Sequence, residues 1–280
     1  MKLQLDGIAI EIISLAGFYT CVQFPGYKIA IDLGVAPRSS FNKSHVFFTH
    51  AHGDHIAGVV RHCSSRDMLG LEPPTYYVGH EDEANFYDFM ESARKLCRTK
   101  MTCNVHAVKP GDQFQIRPDL RVTSYRSIHR VPCQGYVISN TRKKLREEFI
   151  GAPPQTIRQA RESGITIDRD VEIPLVSYTG DTIIDVFERE QQLQKVRVLI
   201  TELTFCDHHV EPEDARHRGH IHLQHIVDRA HLFQQPNLVF MHFSSRYRTQ
   251  EVESICRKRM PKEMFDRSVF VPNDAPLHQF

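Results

Sequence analysis

The chain has 280 residues, 41% of them apolar and 25% charged, with 14 Gly, 15 Pro and no Trp. That composition excludes collagen-like, disordered and coiled-coil classes and suits one compact globular domain. The formal charge of +1 at pH 7 leaves no overall field toward nucleic acid or membrane, so affinity for a polyanion has to come from a local patch.

The N-terminal residues carry neither a signal-peptide nor a transit pattern, and no run approaches the roughly 18 apolar residues of a membrane span. Residues 8–13, 20–24, 28–32 and 45–49 are rich in β-branched and aromatic side chains and separated by Gly or Pro turns, which predicts the strands of a meander. After residue 55, Ile56, Val59 and Val60 suggest a helix. Residues 81–97 space Phe86, Phe89, Met90 and Ala93 at helical intervals, with acids in the first turn and Arg94 and Lys95 near the end, which predicts a helix. Strands are expected at 102–108, 121–127 and 136–139. The second half then alternates strand and helix: 171–178 with 183–193, 196–203 with 221–233, and 237–243 with 250–259. Between the halves, residues 142–169 carry Arg142, Lys143, Lys144, Arg146, Arg158, Arg161 and Arg169 against Glu147, Glu148, Glu162 and Asp168. Gly151-Ala152-Pro153-Pro154 would break this stretch into two short helices, giving a basic hairpin that projects from the body. Its alternative is a solvated excursion that binds nothing.

Seven Cys, at 21, 63, 97, 103, 133, 206 and 256, form no Cys-x-x-Cys pair and read as reduced thiols of a cytoplasmic protein, with a nuclear pool compatible. The strands are apolar on nearly every position, so both of their faces need cover; two sheets with helices outside them, a four-layer αββα sandwich, or an open α/β sheet would supply it.

The 17 His supply the functional signal. Val46-Phe47-Phe48-Thr49 empties into His50-Ala51-His52-Gly53-Asp54-His55. In extended chain His50 and His52 share a side and can reach one ion; Asp54 and His55, past the turn, can reach a second. Imidazoles with a carboxylate suit zinc. A two-metal site needs further ligands, and strand ends offer them: His129 after Ser127-Ile128, Asp181 in Thr179-Gly180-Asp181-Thr182, and His242 after Val239-Phe240-Met241. Taken singly each has an ordinary explanation, since Gly-Asp-Thr also makes a turn and helix cap. No Ser-His-Asp triad, Walker loop or Gly-x-Gly-x-x-Gly is present.

His50 to His55 followed by His129, Gly180-Asp181-Thr182 and His242 resembles the metallo-β-lactamase superfamily. His129 with Gln134-Gly135-Tyr136, Thr201-Glu202-Leu203-Thr204-Phe205, Gly219-His220-Ile221-His222 and His242-Phe243-Ser244-Ser245-Arg246-Tyr247 looks more narrowly like the short, plant-type ribonuclease Z, the tRNA 3′-processing endonuclease. The resemblance covers nearly the whole chain. It implies the αββα sandwich as a single domain over residues 1–280, with a short basic arm at about 141–170. It further implies two zinc ions per subunit, the first held by His50, His52 and His129, the second by Asp54, His55 and His242, with Asp181 bridging. The reaction implied is in-line attack on phosphorus that leaves a 3′-hydroxyl on the tRNA and a 5′-phosphate on the trailer. Asp54 has a second duty as acceptor of the water's proton, and His220, oriented by Glu202, is the acid for the leaving oxygen. Lys143, Lys144, Arg146 and Arg246 are the expected tRNA contacts, and the assembly implied is a homodimer whose arm grips tRNA cut by the partner.

Two departures stand out. Bacterial members carry His-Ser-Thr where this chain has His220-Ile221-His222, and their arm is longer with a Gly-Pro motif where this one has Ala152-Pro153-Pro154. Two alternatives remain at this level: a hydrolase of a thioester or small phosphodiester, which shares the metal ligands without needing Glu202 and His220, and a catalytically dead RNA-binding subunit, which would be expected to lack ligands.

Overall fold

In the computed structural model, which describes residues 1–273, two seven-stranded sheets pack face to face between layers of helix. The first sheet runs in chain order through β1 (Lys2–Leu5), β2 (Ile8–Leu15), β3 (Tyr19–Phe24), β4 (Ile29–Ile31), β5 (His45–Phe47), β6 (Thr75–Gly79) and β7 (Asn104–Val108). The second comprises β8 (Gln113–Arg117), β9 (Leu120–Ser127), β10 (Cys133–Leu145), β11 (Asp168–Tyr178), β12 (Val198–Glu202), β13 (Asn237–Met241) and β14 (Ser268–Phe270). Each sheet is antiparallel through its first four strands and parallel through its last four.

Three buried clusters separate four layers. Ile10, Val22, Phe24, Ile31 and Phe47 of the first sheet meet Val122, Ile138, Val176, Ile200 and Met241 of the second in the central core. Behind the first sheet, Val46, Phe48, Tyr76 and Val78 pack on Val59, Cys63, Phe86 and Met90 of the helices. Behind the second, Leu199, Leu238 and Phe240 pack on Phe187, Ile226, Phe233 and Val252. The alternation of the pleat explains the apolar runs: Val46 faces a helix layer and Phe47 the other sheet, each side chain contributing about 1.5–3 kcal/mol by leaving water. The αββα sandwich expected from the motifs is the observed fold.

Several local expectations change. The opening strands are a meander only as far as β4; β4 and β5 pair in parallel, Ile29 opposite His45, because the intervening segment crosses over instead of turning back. β1, β6, β8 and β14 join the expected strands. The helix expected at 183–193 is a single turn, α5, followed by a 3-10 segment, and that at 221–233 is α7 plus a 3-10 turn; Gly- and Pro-free spacing alone overestimates helices whose packing partners are short. In full, the helices are α1 (Gly53–Ile56), α2 (Val59–Met68), α3 (Glu83–Cys97), α4 (Pro154–Glu162), α5 (Val186–Arg189), α6 (Pro212–His217), α7 (Leu223–Asp228), α8 (Thr249–Arg259) and α9 (Lys262–Asp266).

The basic segment also differs from two short helices. Its flanks are the far ends of β10 and β11, paired through Arg142↔Val171, Lys143↔Asp170 and Leu145↔Asp168, and only α4 is a true helix. The ladder satisfies the backbone of the stalk between its two strands, which overrides the helix preference of Lys and Arg. A register shift between Ile138 and Ser139 falls opposite Pro174, which has no N–H to donate.

Candidate active site

The site forms where parallel strands end, the edge at which open α/β sheets present side chains. Beyond β5, Thr49 to His52 turn into α1, whose first turn carries Asp54. The turn packs against Gly34, where a Cβ would stand 1.7 Å from the Asp54 carbonyl oxygen, so only glycine lets these backbones meet. His129 follows β9, Asp181 follows β11 and His242 follows β13. His242 holds φ +60°, a left-handed conformation that a side chain pays for, and its N–H is fixed by Ser14 Oγ at 2.9 Å.

These residues converge. Ligand atoms of His50, His52, His129 and Asp181 lie within 4.8 Å of one another, as do those of Asp54, His55 and His242, and those of Asp181, His220 and His242. His242 belongs to the second and third groups, and Asp181 to the first and third. Asp181 Oδ2 lies 3.8 Å from His50 Nε2, and its Oδ1 lies 3.5 Å from both His55 Nε2 and His242 Nε2. Asp54 Oδ2 stands 3.4 Å from His242 Nε2 and accepts the Gly17 N–H at 2.8 Å.

In four of the rings the far nitrogen is tied down, which assigns their tautomers. His55 Nδ1 donates to Asp32 Oδ2 (2.8 Å), His129 Nδ1 to the Gly219 carbonyl (2.8 Å), His50 Nδ1 to Thr49 Oγ1 (3.0 Å) and His242 Nδ1 to Thr204 Oγ1 (3.2 Å). Gly219, at φ +82°, could not carry a Cβ, which would sit 2.6 Å from His129 Nδ1. The inward Nε2 atoms of His55 and His242 then face each other at 3.4 Å as lone pairs, and His52 Nδ1 stands 3.0 Å from His50 Nε2. His129 Nε2 and Asp181 Oδ1 are buried with no hydrogen-bond partner among the described residues. Opposed lone pairs and orphaned acceptors are costly unless cations lie between them, so the donor set fits metal ions.

Electrostatics agree. Burial opposes charge on His55, but Asp181 and Asp32 push it up to about 10: the carboxylates favour a positive charge here, which a metal ion would supply in place of the proton. Burial, with His55 beside it, holds His50 well below the usual histidine range, so that ring is neutral and able to ligate. Burial opposes ionisation of Asp54 and Asp181 as well, yet the surrounding imidazoles hold both carboxyls below the usual range.

Beside this cluster His220 Nδ1 meets Glu202 Oε1 at 2.9 Å, and lies 4.0 Å from Asp181 Oδ2. Glu202 is 1% exposed and is further fixed by Thr182 N–H (2.8 Å), Thr204 Oγ1 (2.5 Å) and Ile221 N–H (3.2 Å). Burial works against charge on His220, but Glu202 and then Asp181 push it up to about 9. Sequence could not rank His220 among its neighbours. The structure separates them: His222 is a buried cap that accepts from Gln224 N–H and bonds the Asp207 carbonyl, His225 accepts from His222 N–H, and His217 pairs with Glu213 on the surface. His222 faces away from the cluster's network and is structural.

A cleft of about 510 Å³ opens over the site, lined by His52, His129, Arg130, Val131, Phe205, Arg218 and His220. Arg218 and Arg246 each lie over the Phe205 ring at 5.7 Å. Lys143, Lys144 and Arg146 are exposed on the arm, away from the cluster in sequence and sheet position; Arg146 pairs with Glu148 at 3.1 Å, whereas no acid among the described residues pairs with Lys143 or Lys144. Asp32, Thr49 and Thr204 were not singled out in the sequence. Asp32 had one legible sign, a carboxylate ending the apolar run Ile29-Ala30-Ile31; the two threonines had none.

The profile of the β-lactamase superfamily domain matches residues 34–243. Among curated relatives, tRNase Z TRZ1 of Arabidopsis thaliana is 35% identical over 253 residues, covering 90% of this chain and 90% of that protein. The chloroplastic tRNase Z TRZ2 of the same plant is 31% identical, covering 92% and 74% respectively. Among solved structures, the metallo-β-lactamase fold protein YhfI from Bacillus subtilis superposes with a TM-score of 0.63 at 16% identity, over 94% of this chain and 96% of that one. The short form of human tRNase Z superposes with a TM-score of 0.53 at 17% identity, over 87% and 89%. The two structures share the fold.

Proposed function

The chain belongs to the tRNase Z family of the β-lactamase superfamily, and from that premise we propose that it is a zinc-dependent endoribonuclease that removes the 3′ trailer from precursor tRNA. The observation that carries the reading is the Glu202–His220 pair set beside Asp181, because a nucleotide 3′-oxygen is a poor leaving group without a proton, whereas thioester hydrolysis needs no such acid. In this proposal His50, His52 and His129 hold one zinc, Asp54, His55 and His242 the other, and Asp181 both. When bound, such ions supply Lewis acidity toward the phosphodiester and lower the pKa of water between them. Asp54 orients the attacking water and takes its proton. His220, protonated through Glu202, gives a proton from its other nitrogen to the departing 3′-oxygen, which leaves a 3′-hydroxyl on the tRNA and a 5′-phosphate on the trailer.

The deciding experiment offers the purified protein a labelled precursor tRNA beside a thioester. Cleavage of the RNA at the trailer junction with those end groups supports the reading; a preference for the thioester overturns it.

Asp32 holds the ring of His55 from behind, as partners of metal-binding histidines do. Asp32→Asn should weaken zinc binding by about 10- to 100-fold while the circular dichroism spectrum is kept. Competition with a chromophoric chelator measures it, and an unchanged affinity would remove His55 from the ligand set.

The stalk of the arm presents Lys143 and Lys144, free of acidic partners among the described residues, to phosphate. Replacing Lys143, Lys144 and Arg146 together with Ala should weaken tRNA binding and flatten its dependence on salt, by about one unit of log–log slope for each phosphate left unneutralised, with hydrolysis of a small phosphodiester retained. Filter binding at salt concentrations between about 50 and 200 mM, the range over which such charges are felt, reads this directly. The assembly we propose is a homodimer in which one subunit's arm holds tRNA cut by the other, in the cytoplasm with a nuclear pool; no described helix is long and apolar enough to cross a membrane, and all seven Cys are free thiols.

A further inference from the structure

The turn between β2 and β3 ends against the metal cluster, a position its sequence gives no reason to expect. Phe18 N–H closes the turn on the Leu15 carbonyl at 3.0 Å, and Gly17, at φ +75°, directs its N–H onto Asp54 Oδ2 at 2.8 Å. On the other flank Ala16 N–H donates to the Phe243 carbonyl at 3.2 Å, and Ala16 bridges to Ser244. The tip is thus pinned between the segment that carries Asp54 and the segment that carries His242. On this fixed backbone Phe18 stands 62% exposed. Single exposed apolar residues are ordinary; this one directly follows the residue whose N–H holds Asp54. Arg246, also exposed, lies two residues past the same bridge and donates from Nε to Ser244 Oγ at 3.2 Å. Its guanidinium lies over the Phe205 ring of the cleft wall, so what this turn offers is the exposed Phe18 ring itself, a face on which an unpaired base can stack.

Resting on the endonuclease reading, we propose that Phe18 is a specificity-determining contact, a platform on which the base of the first trailer nucleotide stacks. The side follows from connectivity. The departing 3′-oxygen belongs to the tRNA and meets His220, whose cleft is walled by His52, His129, Arg130, Val131, Phe205 and Arg218; the hairpin adds nothing to that wall. The trailer stays joined to phosphorus through its 5′-oxygen, and in this proposal it leaves past the Asp54 side of the cluster, where the turn that carries Phe18 stands. A trailer is single-stranded, so its base is free to unstack from its neighbours and lie on the ring.

The test compares wild type, Phe18→Ala and Phe18→Trp on three precursor tRNAs: one intact, one abasic at the first trailer nucleotide, one abasic at the last tRNA nucleotide before the cut. On the intact precursor Phe18→Ala should lower kcat/KM by about fivefold or more, the low end for one stacked base, through KM with kcat kept, and Phe18→Trp should restore it. On the trailer-abasic precursor wild type and Phe18→Ala should be cut equally. Equal rates on the intact RNA, or the same penalty on the trailer-abasic RNA, overturn the stacking role; a penalty that vanishes only with the tRNA-side abasic site overturns the trailer assignment. Failure of wild type to cut any precursor defeats the endonuclease reading and this inference with it, whereas an active wild type matched by Phe18→Ala defeats the inference alone.

Discussion

Chelation should abolish trailer removal, added zinc should restore it, and Asp54→Ala should leave at most about a hundredth of the wild-type rate at saturating zinc. The size follows from position. Losing a group that only supports a metal ligand already costs about 10- to 100-fold, and Asp54 reaches the inner face itself, 3.4 Å from His242 Nε2 and 3.6 Å from His55 Nε2. Without its charge, two imidazole nitrogens 3.4 Å apart keep one fewer anion to balance a cation. Measuring bound zinc by elemental analysis alongside single-turnover cleavage separates lost metal from lost proton transfer: a variant that keeps two zincs and still loses rate has lost the acceptor. Chelator-insensitive cleavage, or a fully active Asp54→Ala protein, would sink the metal mechanism.

The second large effect belongs to His220. His220→Ala should lower kcat on precursor tRNA by about 10²- to 10⁴-fold, the range for one general acid, while a p-nitrophenyl phosphodiester, whose leaving group departs without a proton, should lose far less. Equal losses on both substrates would make the residue a binding or structural element. Glu202 adds a pH signature. Against burial, Glu202 and then Asp181 raise His220 to about 9, a value that metal ions bound beside it would lower. The acid works only when protonated, so activity falls as pH rises through that value. Removing the carboxylate charge with Glu202→Gln takes away the raising influence, and the basic limb of the kcat profile should move to lower pH. A limb that stays in place would show that Glu202 does not set the ionisation. The variant also turns an amide toward the Thr182 and Ile221 N–H groups that the carboxylate now accepts, so a modest loss of stability is expected alongside the shift.

The seven candidate ligands were legible because their types are rare and their spacing is local or tied to strand ends: three His and an Asp within six residues have few other uses, and His129, Asp181 and His242 each close an apolar run. Asp32 was not legible in the same way. It lies 23 residues before His55 and meets it only because β4 and β5 pair in parallel, at a backbone φ of +60° that its own sequence does not announce. Thr204 likewise becomes a partner of His242 only once β12 and β13 lie side by side. The arm was recognised by its charge and misjudged in its backbone, since composition senses Lys and Arg but not the ladder that extends β10 to Leu145.

By itself, then, the sequence determined the inventory of chemistry and the burial of both strand faces, because these are properties of short segments, whereas the choice of the four-layer sandwich over an open sheet came only through the family resemblance. Tertiary structure alone decided which of six closely spaced histidines, from His208 to His225, stands beside Glu202, which threonines and which aspartate hold the rings in place, and that the turn carrying Phe18 meets Asp54. Those outcomes depend on segments far apart along the chain, such as His242 with Ser14 (228 residues) and His242 with Asp54 (188), and only the packing of the two sheets brings such segments together.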